Sequence, residues 1–468
     1  MVYKFCLSAV VAAALLLGDA SALAQSGAAP VSILPPAMVP PKPTAPVPLQ
    51  PNQEQRTSPP DMPAVLQSVP VPAPLPLQHW TGGDASALLF AIQNIGARGL
   101  NSADYLGAEL QVAIATGEGE ALDLAAKASF DLLFTDLRDG RTPKAARIQW
   151  LVKDTDADDF PLDVLMAKAL SSKDFGAVMA SVDPLHPDYA KLKAAYAAMP
   201  AANLAQRKLI RANMDKWRWM PRKMSDKHVF ANVPEYVIRV VTYGKTIASY
   251  RSIVGKMSSQ TPSLMVPAVG IVVHPPWVLP QSIIREEVGP LIASNPAAAR
   301  ARGYTWTGSG KSLSVVQQAS NSSALGLMKI DMPNPDAIFI HDTPSRHLFA
   351  RPAPRAFSHG CMRTDRALEL GILLGILQSG KEAEDLAAII KQGKTQKVPF
   401  KEAIPVAITY FTYGTGLDGK LQAFGDIYGR DMPVLASLDQ PRPVNVPPVV
   451  ILPTLAPPTL PTEAAILR

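Results

Sequence analysis

The spacing of apolar residues changes three times along the chain. Between residues 80 and 200 they recur at helical intervals, as in Ser86-Ala87-Leu88-Leu89-Phe90-Ala91-Ile92 and across Leu122–Leu137, and proline nearly vanishes. The spacing predicts a domain of several short helices, with Asp84 and Ser102 as N-caps. Over 201–227 cations take over, namely Arg207, Lys208, Arg211, Lys216, Arg218, Arg222, Lys223 and Lys227, with Trp217 and Trp219 among them. This stretch reads as a connecting helix with a solvated positive face. From 228 the period shortens to that of strands. The β-branched run at 236–241, the turn Tyr243-Gly244-Lys245 and a second run to Val254 predict a hairpin. Ala337-Ile338-Phe339-Ile340 predicts a short strand leading into His341, and Val406–Phe411, Asp418-Gly419 and Leu421–Tyr428 a further hairpin. Helices are expected at 365–378 and 381–392, closed by Gly380 and Gly393. Residues 281–330 hold much Pro, Gly and Ser and few strand signals, the composition of a long inserted lid.

Composition adds the flanks. Of 46 prolines in 468 residues, sixteen lie between Pro30 and Pro76 and eight between Pro441 and Pro461, so the middle of the chain has ordinary globular composition. The Pro-rich stretches 25–79 and 437–468 lack the N–H donors that a sheet or helix needs, and read as a linker and a tail, both disordered. At the start, Lys4, the apolar run Phe5–Leu17 and Ala22-Leu23-Ala24 before Gln25 have the layout of a signal peptide over 1–24. Its apolar run is too short to span a bilayer, and no other run is long enough, so no transmembrane segment is expected after cleavage. Export to an oxidising compartment follows. Cleavage removes Cys6 and leaves Cys361, one thiol in an oxidising compartment, which excludes a disulfide framework and a four-cysteine zinc site. The net charge of +6 suits an anionic wall polymer as partner, and export argues against nucleic acid. The expected architecture is α+β: a helical scaffold domain (80–200), the basic connecting helix (201–227) and a β-rich catalytic domain (228–436) with a lid at about 281–330.

The candidate chemistry lies around Cys361, in Arg355-Ala356-Phe357-Ser358-His359-Gly360-Cys361-Met362-Arg363. A thiol needs a base to become a nucleophile, and His341, at the end of a strand, is a rigid place to mount one. Gly360 permits a tight turn in which the N–H groups of Gly360 and Cys361 converge on a developing oxyanion. A helix starting near Thr364-Asp365 and the cation Arg363 would both favour the thiolate. His359 is an alternative base or a pocket wall. His341, His359, His347 and Cys361 match no zinc spacing, so no metal is expected.

A histidine, an interval of this length and then Ser358-His359-Gly360-Cys361 resembles the signature of the L,D-transpeptidase catalytic domain of the YkuD type. The likeness to the long, scaffold-bearing branch of that family continues through Asn213-Met214-Asp215-Lys216-Trp217-Arg218-Trp219, Asn232-Val233-Pro234, Val254-Gly255-Lys256, Gln260-Thr261-Pro262, Pro275-Pro276-Trp277, Ala324-Leu325-Gly326, Ile340-His341-Asp342-Thr343-Pro344 and Asp426-Ile427-Tyr428-Gly429. It covers 213–431 well and 80–200 loosely. The resemblance implies acyl transfer on peptidoglycan stem peptides. Cys361 would attack the carbonyl of the third stem residue, releasing the terminal D-alanine and forming a thioester. The amine of an acceptor stem would then take the acyl group, giving a 3→3 cross-link. His341 would be the base, oriented by the backbone around Asp342. Ser358, His359 and Gly360 would shape the turn, Arg363 and Asp342 would meet substrate, and Trp277, Tyr304 and Trp306 would border the donor channel. Passing the thioester to water or a free D-amino acid would instead make a carboxypeptidase or exchange enzyme. No cofactor is implied. The chain departs from the family at Arg363, where shorter members have Asn, at Ser323, where the lid usually has Asn, and at His274, where the branch prefers Asn. A separate peptidoglycan-binding domain before Asn213 is not expected.

Overall fold

The computed structural model describes residues 77–153 and 159–442. The expected signal peptide, the expected Pro-rich linker up to residue 76 and the expected tail from 443 lie outside the described residues. Helices Gly82–Gln93, Gly107–Thr116, Glu120–Asp139, Leu162–Ser172 and Phe175–Ser181 enclose one apolar cluster around Trp80, Leu88, Tyr105, Phe130 and Phe134. The first helix is capped by Thr81, whose hydroxyl accepts from the Asp84 amide, with Asp84 in the first turn; Asn101 caps the short 3-10 turn at Ser102–Tyr105. The expected caps, Asp84 and Ser102, thus stand just inside the elements they were to cap. Two more helices, Pro187–Ala198 and Leu204–Trp217, lead to the β region.

There the strands are β1 (Lys227–Asn232), β2 (Val237–Thr242), β3 (Lys245–Gly255), β4 (Leu264–Val273), β5 (Trp277–Val278), β6 (Tyr304–Thr307), β7 (Ser314–Gln317), β8 (Met328–Asp331), β9 (Ile340–His341), β10 (Ala356–Ser358), β11 (Met362–Thr364), β12 (Gln396–Thr409), β13 (Tyr413–Thr415) and β14 (Leu421–Ala423). Nine form one sheet in the order β10-β3-β11-β9-β8-β4-β12-β1-β2, and β2 also pairs with β3, so the sheet closes on itself. Its apolar interior joins Ile271, Met328, Ile330, Ile340, Met362 and Val406, and Leu370 and Leu374 of the helix Ala367–Ser379 complete it. Closure satisfies strand edges that would otherwise seek partners.

Three expectations are corrected here. The positive stretch is not a solvated face. The helix Leu204–Trp217 is central, with Asn213, Asp215, Lys216 and Arg218 buried. Asp215 accepts from the amides of Arg141 and Thr142, the Thr142 hydroxyl and the Trp219 indole, and Lys216 pairs with Asp431. Trp217 stacks on Phe411 and packs with Tyr189, Tyr196, Phe230 and Val241, so helices and barrel share one core. The inserted segment is not strand-poor. It folds on Leu279, Ile283, Ile284, Val288 and Val315 as its own cluster beneath the three-stranded sheet β5-β7-β6. The expected tail begins too early, because a helix spans Asp431–Asp439 and Arg442 reaches back to Asp104 and Asp136.

Candidate active site

His341 and Cys361 come together because β9 and β11 pair in parallel, with Ile340 opposite Met362 and His341 opposite Arg363. Ile340 and Met362 are fully buried in the interior. Alternation therefore turns His341 and Arg363 to the opposite face, and Cys361, two residues before Arg363, stands diagonally from His341. The Phe339 amide donates to Cys361 Sγ at 3.3 Å, and the thiol lies 3.6 Å from the Ala337 carbonyl. The sulfur therefore rests on the backbone of 337–339, beside the histidine strand.

The cysteine follows a bend that two hydroxyls brace. Gly360 has φ +120°, and a Cβ there would lie 3.2 Å from Ile338. Ser358 Oγ accepts the Gly360 amide at 3.2 Å and donates to the Cys361 carbonyl at 2.5 Å. Thr261 Oγ1 donates to the Gly360 carbonyl at 2.7 Å and accepts from the Gly255 amide. Tyr428 in turn donates to the Gly255 carbonyl and accepts the Thr261 amide, so the far end of the chain supports the bend. Of the two amides expected to converge on an oxyanion, that of Gly360 is committed to Ser358. The helix does not begin at Thr364; β11 intervenes and the helix starts at Ala367, so its dipole is not at the cysteine.

His341 is buried, and its Nδ1 donates to the Asp342 carbonyl at 2.5 Å, with the Leu325 carbonyl as a second backbone acceptor beside the ring. Burial, reinforced by the Arg363 charge, lowers the imidazole to about 3. Burial also raises the Cys361 thiol, against the opposing pull of the Phe339 amide and the charges of Arg363 and Lys329. The expected sum of influences toward a thiolate is thus reversed: desolvation outweighs the cations, and the resting pair is a neutral thiol beside a neutral imidazole.

The Asp342 carboxylate is buried, accepting from the Leu327 amide at 2.9 Å and from Arg346 at 3.3 Å, and it packs where a Cβ on Gly326 would come within 2.5 Å. It ties the Ala324-Leu325-Gly326 loop to the histidine strand. His359 turns its Nε2 toward Glu287 of the inserted segment, 2.6 Å away. Glu287 lies in a π-helical stretch, Ile284–Val288, an irregularity frequent at functional sites. Trp277, Tyr304 and Trp306 are half-buried against the insert's own cluster, with the Arg300 guanidinium 4.8 Å over Trp306. His347 lies in the short 3-10 turn Arg346–Ala350, and His274 bonds the Ile390 carbonyl. Two site residues escape sequence reasoning. Glu287 reaches the cysteine loop only through the fold. Lys329 is the polar position between buried Met328 and Ile330, and its register opposite His341 is non-local.

Residues 226–404 match the family model described as the L,D-transpeptidase catalytic domain, and residues 78–195 match that described as a Scaffold domain. A curated protein of Haemophilus influenzae, named "Putative L,D-transpeptidase", is 31% identical over 228 residues, 45% of this chain and 46% of that protein. The chain thus spans about half the length of the curated relative it matches. Among solved structures, an L,D-transpeptidase from Mycobacterium smegmatis aligns at TM-score 0.21 and 11% identity, over 39% of this chain and 58% of that one. L,D-transpeptidase 1 of Mycobacterium tuberculosis aligns at 0.17 and 14%, over 39% and 61%. Among the described residues no helix is long and apolar enough to cross a membrane.

Proposed function

From the L,D-transpeptidase catalytic domain at residues 226–404 and the scaffold domain ahead of it, we propose that this chain is a periplasmic cysteine acyltransferase that cross-links peptidoglycan stem peptides. The observation that carries the reading is the mounting of His341 at the end of β9 and of Cys361 in a braced bend directly ahead of β11, the parallel partner of β9. Cys361 Sγ attacks the carbonyl of the third stem residue as His341 takes the thiol proton. The peptide bond to the terminal D-alanine breaks, the proton passes to its amine, and a thioester remains. An amine from a second stem then attacks the thioester, a 3→3 amide forms, and the thiol regains its proton. The Cys361 amide, which bonds no other group among the described residues, is the donor open to the oxyanion. Trp277 of β5 and Tyr304 and Trp306 of the inserted segment border the donor channel, Glu287 holds that segment against His359, and Asp342 keeps the imidazole in register.

Purified protein given a disaccharide-tetrapeptide is expected to yield 3→3 dimers by mass spectrometry. Cys361→Ala is expected to lower the yield by at least a thousandfold, to background. Release of the D-alanine without dimer, with an acceptor present, would assign the hydrolytic alternative instead.

A further inference from the structure

Three neighbouring strands put a row of side chains on the reactive face. Lys329 of β8 pairs in register with His341 of β9, which pairs with Arg363 of β11. Met328, Ile330, Ile340 and Met362 point the other way, into the interior. The row is therefore cation, imidazole, cation, with strands about 4.8 Å apart. Neither cation has an acidic partner among the described residues. Asp331, on the same face of β8 as Lys329, is taken by Lys397 at 2.6 Å. The Lys329 ammonium lies 4.6 Å over the ring of Phe339, the residue whose amide donates to Cys361 Sγ. Arg363 Nε is buried without a hydrogen-bond partner. A buried donor without an acceptor is costly, and a bound group that supplies the acceptor removes that cost.

We infer that Lys329 and Arg363 form a carboxylate clamp spanning His341, which selects acyl donors bearing a free carboxylate near the bond to be broken. This rests on the proposed acyl transfer and adds its donor specificity. The carboxylate is the one that ends the stem or one carried on the side chain of its third residue; both present the same planar anion to the two cations.

The test uses the full chain, Lys329→Met and Lys329→Arg, checked by thermal melting. Three synthetic tetrapeptide stems are compared: free acid, terminal carboxamide, and third-residue carboxamide. Intact-protein mass spectrometry follows thioester formation on Cys361. Wild type is expected to lose about tenfold or more in efficiency with one carboxamide, and that stem identifies the carboxylate held. Lys329→Met is expected to lose as much with the free acid, mainly in KM, and nothing further with the identified carboxamide. Lys329→Arg restores the discrimination. If Lys329→Met discriminates as wild type does, or slows all three stems equally, the clamp is overturned. Calorimetric binding of the same stems to Cys361→Ala, with and without Lys329→Met, needs no turnover. Discrimination there with no thioester in wild type would sink the proposed reaction and leave the clamp standing. Equal binding of all stems would sink the clamp whatever the reaction.

Discussion

At the scale of single residues, protonation is decided by burial. Cys361 and His341 are shifted in opposite senses, each toward its neutral form, because desolvation exceeds the effect of neighbouring charges. Alkylation of Cys361 by iodoacetamide is therefore expected to rise with pH, with its midpoint above that of a free thiol, about 8.5. Arg363→Ala, which removes a cation that opposes the shift, is expected to move the midpoint higher still. A rate already at its plateau at pH 7, followed by mass spectrometry, would contradict this. His341 carries a stability consequence whose sign is fixed. With the folded imidazole at about 3 and the unfolded one near 6.5, the unfolded state binds the proton first. The contribution is full above about 6.5 and is lost as pH falls toward 3. His341→Gln is expected to flatten the fall in urea midpoint between pH 7 and pH 4; an unchanged slope would refute it.

At the scale of elements, the helix Leu204–Trp217 turns a basic, tryptophan-bearing stretch into the hub of the molecule. Asp215 is fully buried and serves two backbone amides, one hydroxyl and one indole from separate segments, with Arg218 alongside. Removing it leaves those donors without an acceptor and the buried Arg218 without its carboxylate partner, so Asp215→Ala is expected to cost about 3–5 kcal/mol, read as a loss of urea midpoint. A cost under about 1 kcal/mol would show that water replaces the carboxylate. The same helix shows where sequence reading stops. Its position was legible from composition, but a run of cations reads as solvated until the partners are known, and Asp431 lies far along the chain. The hairpin β2–β3 and the helices Ala367–Ser379 and Ala383–Lys391 were legible because their signals are local: a Tyr-Gly turn and closing glycines. The insert was legible as an insertion, but its strands and core were not, since the strands are four residues each and the core is closed within itself. At the site, Ser358-His359-Gly360-Cys361 could be read directly. The row Lys329–His341–Arg363 required knowing that β8, β9 and β11 are neighbours.

At the scale of the whole molecule, the helical region and the barrel are not separable bodies. Tyr189, Leu192, Tyr196, Ile210 and Trp217 from the helices interdigitate with Phe230, Val241, Ala407 and Phe411 from the barrel in one buried cluster. Polar ties cross the same boundary: Asp188 accepts from Thr415, Asn213 exchanges hydrogen bonds with Thr412, and Arg211 bonds the Leu438 carbonyl and Asp439. A barrel starting at residue 226 would present Phe230, Val241 and Phe411 to water, at roughly 1.5–3 kcal/mol for each large side chain, against a typical net stability of about 5–15 kcal/mol. Residues 78–442 are accordingly expected to unfold in one calorimetric transition, with equal van't Hoff and calorimetric enthalpies. A chain starting at 226 is expected to aggregate or to melt broadly. Two resolved transitions in the longer chain, or a cooperative, active fragment from 226, would show that the shared core does not couple them. In the coupled case the helical region acts on the site through stability: Trp217 packs with Phe230 of β1 and Ala407 of β12, these strands carry β4 and β8, and β8 sets Lys329 beside His341.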